Sequence, residues 1–157
     1  MNKVIIESTP NADSRTASGE LDKEAILQDT KKHIVGVRET LYAISDELRI
    51  IANNHDHTKL SDFDQFFEDF SKHRLDPDNV KFKELPWWKI HMTERHHLND
   101  SCPENVDLLD VLEMIVDCVC AGKARSGEVY PIELSNDILQ RAVKNTQKLL
   151  ESNIRVK

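Results

Sequence analysis

The chain has 157 residues, of which 39% are apolar and 31% charged, with a net charge of −7. That length suits a single domain able to bury its own core. The acidic balance excludes a general nucleic-acid binder, which would carry a basic stripe, but leaves room for a small phosphorylated ligand held by a few placed cations.

Residues 1–20 read as a flexible arm. Lys3 to Glu7 has strand character, but Ser8 to Gly19 is polar and interrupted by Pro10. There is no basic segment leading into an apolar run, as a signal peptide would need, and no run near the roughly 18 apolar residues of a membrane span. The expectation is a soluble cytoplasmic protein.

From about Leu21 the pattern turns helical, and residues 21–157 read as one all-α domain. Leu27, Ile34, Val37, Leu41 and Ile44 form an amphipathic stripe that Leu48 and Ile51 continue towards His55. His33 stands beside this stripe. An unbroken helix would hold His33 and His55 roughly 33 Å apart, so a site shared by both requires a break, for which Ser45-Asp46 offers N-cap residues. After Lys59, Ser61 and Asp64 signal another helix start, and Phe63, Phe66, Phe67 and Phe70 make a core-type face.

Arg74 to Leu85 reads as a surface connection, and Pro86 as a first-turn proline. His91, His96 and His97 follow. On one continuous helix His96 and His97 would lie about 140° and 120° around from His91, so they converge only if the helix ends near Arg95; otherwise they serve different tasks. Residues 99–103 read as a turn.

Asn105 to Ala121 is a strongly apolar helix with an acidic stripe of Asp107, Asp110, Glu113 and Asp117. Asp107 and Asp110 read as its solvated edge. Asp117 lies late in the apolar run, where a carboxylate is costly unless paired or bound to metal. The helix is expected to end at Gly122-Lys123-Ala124-Arg125-Ser126-Gly127, which lacks the first glycine of a P-loop and follows a helix rather than a strand. A last amphipathic helix runs from Ser135-Asn136 to Leu150. No strand-type alternation is visible beyond the arm. Cys102, Cys118 and Cys120 read as free, buried, small hydrophobes.

The chemistry centres on His55-Asp56-His57-Thr58-Lys59. Imidazole and carboxylate together suit divalent Mn, Co, Fe, Zn or Mg, and such an ion lowers the pKa of a bound water and polarises a phosphoryl oxygen. Lys59, Arg95, Lys123 or Arg125 could hold the phosphate.

An upstream His, then His-Asp, then a His cluster, then a helical Asp resembles the HD superfamily of metal-dependent phosphohydrolases. More narrowly, His55 to Lys59, Trp88 to His97 and Asp117 to Ala124 resemble a small phage and bacterial HD-like family. The resemblance implies an HD-like helical bundle of about five to seven helices. It implies a metal held by His33, His55, Asp56 and Asp117, with Asp56 and Lys59 catalytic. His91, His96 and His97 would bind substrate or a second ion, and Lys59, Lys123 and Arg125 the phosphate of a nucleotide or similar ester. Three readings stay open: a phosphohydrolase, a non-catalytic accessory protein that binds a nucleotide or host protein, and a purely structural arrangement of the histidines. A homo-oligomer is compatible with each.

Overall fold

The computed structural model describes residues 1–20 and 22–157, with Asp100 described by its backbone alone. Leu21, where the helical domain was expected to open, lies outside the described residues. Among the described residues the protein is all-α apart from one pair of three-residue strands. By its internal contacts it divides into two compact units, Met1–Ile50 with Gln147–Lys157, and Ile51–Thr146. No helix among the described residues is long and apolar enough to cross a membrane.

In the first unit, strand β1 (Val4–Ile6) pairs in parallel with β2 (Ile154–Val156), in the register Val4 to Ile154. The residues expected to be mobile are therefore tied to the other end of the chain. Val4 is buried. Next in sequence, Asn11 donates from its backbone and side chain to Asp29 Oδ2 (3.0 and 2.9 Å). Helix α1 (Lys23–Asn54) approaches closely at Gly36, where a Cβ would lie 3.0 Å from Ile6 Cγ2.

Helix α1 runs through Ser45 and Asp46 without a break. Residues that cap well cost only a few tenths of a kcal/mol each inside a helix, and no Pro or Gly stands near them. Ile44, Leu48 and Ile51 keep the helical period, and Asp46 pairs with Arg49 at 2.7 Å.

The second unit contains α2 (His57–Ser61), α3 (Phe63–Leu75), α4 (Pro86–His91), α5 (Leu98–Ser101) and α6 (Leu108–Ser126). Helix α7 (Asn136–Asn153) begins in it. Its core is Leu98, Val106, Val111, Met114 and Ala142. Residues 99–101, read as part of a turn, belong to the short α5.

An aromatic cluster holds the rest. Phe66 packs on Trp87 (ring centroids 4.4 Å apart), and Phe82 meets Phe70, Trp87 and Trp88. Phe63, Phe67 and Phe70 remain half exposed or more, so the α3 stripe is only partly core. Asp69, fully buried, accepts the backbone N–H of Trp87 at 2.9 Å and so caps the start of α4.

Helix α6 starts at an Asp107 N-cap in a reciprocal capping box with Asp110. Asp110 is buried and takes a two-point ion pair from Arg95 (2.7 and 2.6 Å). These two carboxylates are structural partners rather than a solvated edge. The helix also continues past Gly122 to Ser126 and ends on Gly127 at φ +80°. Gly122 lies under residues 128–130: a Cβ there would sit 2.3 Å from the Glu128 carbonyl oxygen. The cysteines are free, with Cys102 and Cys118 half-buried and Cys120 exposed, against the expectation that all three are buried.

Candidate metal centre

His55 and Asp56 form the sharp turn between the end of α1 and the start of α2. Asp56 has φ 54°, the left-handed region, and no other described non-glycine residue has a positive φ. Such strain persists where surrounding contacts hold it and concentrates at functional sites. The contacts are visible. Asp56 O accepts the Lys59 backbone N–H at 2.9 Å, and Glu94 accepts the buried Thr58 backbone N–H at 3.0 Å.

Trp87 fixes the other wall. It donates from Nε1 to the Thr58 carbonyl (3.3 Å) and stacks on His91 at 4.7 Å, 16° from parallel. Helix α4 ends at His91, and the chain turns through residues 92–97 on short-range bonds such as Glu94 N–H to His91 O. The early helix end brings His91, His96 and His97 to one place. Opposite them, α6 presents Glu113 and Asp117 one turn apart.

Among the described residues, two groups of side chains can each hold a metal ion, and they share Asp56. One is His55, Asp56 and His96; the other is Asp56, His91 and His97. Within each group the donor atoms lie within 4.8 Å of one another. Asp56 Oδ1 is 3.6 Å from His91 Nε2 and 3.6 Å from His96 Nε2. His55 Nε2 is 3.6 Å from both Asp56 Oδ2 and Asp117 Oδ1. Asp56 Oδ1 and His96 Nε2 are buried and have no hydrogen-bond partner. An orphaned buried carboxylate oxygen facing an orphaned imidazole nitrogen is costly, and a cation between them removes that cost. The donor set therefore fits a divalent ion.

The surrounding carboxylates settle which imidazole nitrogens face inward. Glu113 Oε1 lies 2.9 Å from His55 Nδ1 and 3.3 Å from His96 Nδ1. Burial raises the Glu113 carboxyl, but hydrogen bonds from His96 and His55 outweigh it and hold it below the usual range. An ionised carboxylate only accepts, so both rings donate from Nδ1 and turn the Nε2 lone pair to Asp56. At His91, Thr58 Oγ1 donates to Glu94 and therefore accepts from His91 Nδ1 (2.9 Å). The His91 Nε2 lone pair also faces Asp56. His97 Nε2 lies 2.9 Å from His91 Nε2. Carboxylates orienting metal-ligating histidines in this way are a recurrent feature of metal sites.

Electrostatics separate the rings. Burial, with the Lys59 charge next, pushes the His91 imidazole down. Burial and the neighbouring His96 and His91 push His97 down to about 4. Burial also opposes charge on His96, but the Glu113 hydrogen bond and the charges of Glu113, Asp56 and Glu94 raise it above the ordinary imidazole value. Asp56 is raised by burial and brought below its usual range by Lys59, whose ammonium pairs with Oδ2.

Of the candidate residues, the structure brings together His55, Asp56, Lys59, His91, His96, His97 and Asp117. His33 is not among them. It lies in the first unit on the unbroken α1, roughly 33 Å along the helix from His55 at about 1.5 Å per residue. The break at Ser45 that would have admitted it does not form, and His96 faces Asp56 beside His55 instead. Lys123 and Arg125 are exposed in the last turn of α6, outside these groups. Arg95 is committed to Asp110 and Asn105.

Sequence reasoning missed Glu113 and Glu94. Glu113 carried a usable signal, since it stands four residues before Asp117 and shares its helix face. Glu94 had only its place between His91 and His96.

Set against protein-family models, curated proteins and solved structures, the chain matches none. The likeness to HD proteins rests on the motif residues alone.

Proposed function

We propose that the second unit is a metal-dependent phosphohydrolase acting on a nucleotide or related small phosphate ester. The observation that carries this reading is the buried, unpartnered pair Asp56 Oδ1 and His96 Nε2 at the centre of two donor groups. Imidazole nitrogen with carboxylate oxygen suits Mn, Co, Fe or Zn, and a site that also coordinates water suits Mg. A divalent ion bound there supplies Lewis acidity, lowering the pKa of a coordinated water and polarising a phosphoryl oxygen. The order His-Asp, His cluster, helical Asp supports an HD-like assignment, with His96 in the place expected of His33.

The chain's own groups divide the remaining work. Asp56 belongs to both donor groups and is positioned to bridge them. Glu113 and the Thr58–Glu94 pair keep the Nε2 lone pairs of His55, His96 and His91 turned inward. Lys59, paired with Asp56, places a cation beside both groups. Exchanging that contact for a phosphate oxygen would offset charge developing in the transition state.

The test is turnover. Protein loaded with Mn²⁺ or Co²⁺ should release phosphate from mononucleotides or cyclic nucleotides, and Asp56→Ala should abolish release. Full metal loading with no release across a broad phosphate-ester panel would rule out the enzyme and leave a binding protein.

A further inference from the structure

The two donor groups around Asp56 are unequal, and Lys59 makes them so. The first group, His55, Asp56 and His96, contains the orphaned Asp56 Oδ1 and His96 Nε2. Asp117 Oδ1, 3.6 Å from His55 Nε2, adds a second carboxylate to it, and Glu113 stands behind both imidazoles. The second group, Asp56, His91 and His97, has the shared carboxylate alone. Glu94 lies behind it, 3.5 Å from His91 Nδ1. Against that, the Lys59 ammonium sits on Asp56 Oδ2. Burial first, then the Lys59 charge, push the His91 imidazole down, and an ion at His91 meets the same repulsion.

A first ion is therefore favoured at His55, Asp56 and His96, where it satisfies the orphaned pair. With Lys59 on Oδ2, Asp56 has only Oδ1 to offer, facing His91 Nε2 and His96 Nε2 at 3.6 Å each. One ion per oxygen is the arrangement that serves both groups, and it requires Oδ2 to be released.

The charge balance points the same way. Four carboxylates (Asp56, Glu94, Glu113 and Asp117) against one ammonium (Lys59) leave the centre with three negative charges, its imidazoles being neutral as ligands must be. One divalent ion leaves it negative, which repels an anionic ester; two make it positive. A phosphate and a second ion thus favour each other, since the phosphate takes the ammonium and the ion takes the oxygen it leaves. Given the phosphate-ester reading of this site, we propose that Lys59 gates the second group: Asp56, His91 and His97 take an ion only when a phosphate draws the Lys59 ammonium off Asp56 Oδ2.

Counting Mn²⁺ bound to the full chain by equilibrium dialysis tests this, with methylphosphonate as a phosphate mimic that cannot be hydrolysed. The wild-type protein alone should hold one tight ion. Methylphosphonate should tighten a second by about tenfold or more, as is usual for coupled sites, and bring out the electron paramagnetic resonance spectrum of an exchange-coupled Mn²⁺ pair. Lys59→Met, which keeps the bulk and removes the charge, should take the second ion without methylphosphonate. His97→Gln should keep the first ion and lose the second. Two equally tight ions in the wild type without methylphosphonate would overturn the proposal. So would a second ion that methylphosphonate does not tighten, one as weak in a normally helical Lys59→Met as in the wild type, or one retained in His97→Gln. Coupling without ester hydrolysis would remove the hydrolase reading and leave the gate, whereas hydrolysis by the one-ion protein would remove the gate alone.

Discussion

Glu113 holds two imidazoles at once, His55 at 2.9 Å and His96 at 3.3 Å, and this makes it the most informative single residue to change. In Glu113→Ala both rings lose the acceptor that fixes their tautomer, and Mn²⁺ affinity should fall about 10- to 100-fold, the usual cost of removing an orienting partner. The pH dependence carries a second signature. Protons compete with the ion for His96, whose value is raised by Glu113 despite burial. Wild-type affinity should therefore begin to fall, as pH falls, above the ordinary imidazole value of about 6.5. Removing Glu113 leaves burial dominant, so the fall should move to lower pH. His97, already pushed down to about 4, contributes no such competition near neutrality. Calorimetric Mn²⁺ titrations across the pH range measure both effects. An unshifted pH profile in the variant would remove His96 from the ligand set.

At the scale of the element, α6 sets the register of Glu113 and Asp117, and both its ends are pinned. The Asp107–Asp110 box fixes its start, with Arg95 clamped onto Asp110. Gly122 lets residues 128–130 cross directly over its last turns, because a Cβ would lie 2.3 Å from Glu128 O and 2.7 Å from Tyr130 N. Both are backbone atoms, which cannot swing aside as a side-chain tip can. Gly122→Ala should cost about 1–3 kcal/mol as an overpacking change, read from urea unfolding, although alanine is the better helix former. A neutral or stabilising effect would show that the crossing loop gives way. The glycine beside Lys123 is thus explained by close approach of backbone, with no phosphate loop required.

At the scale of the whole molecule, the pairing of Val4–Ile6 with Ile154–Val156 joins stretches at opposite ends of the chain. Hydrogen exchange should report it: amides of Val4–Ile6 should be protected relative to those of 14–19, and deletion of residues 154–157 should abolish that protection. Fast exchange at Val4–Ile6 in the full chain would restore the mobile-arm reading. The same scale separates the legible from the illegible. Val4-Ile5-Ile6 looked strand-like locally, but a parallel partner about 150 residues away leaves no local trace, since neither strand shows the alternation of a longer sheet.

Short-range physics was readable from the sequence. The all-α class followed from the 3.6-residue spacing of Leu and Ile in α1, α6 and α7. Asp117 stood out through the cost of placing a carboxylate among apolar neighbours, and the His55-Asp56 doublet as an adjacent imidazole and carboxylate suited to a divalent ion. Tertiary structure decided membership. Whether α1 bends at Ser45 depends on small propensity costs weighed against an in-phase apolar stripe, and the stripe wins, which leaves His33 outside. Whether His91 meets His96 and His97 depends on α4 stopping at His91, fixed by Trp87 against Phe66 and Asp69 from another helix. Whether Glu113 is a solvated edge or the acceptor for two imidazoles depends on which surface α6 turns towards them. Spacing along the chain chose the chemical groups, and packing between elements far apart in sequence chose which of them share one site.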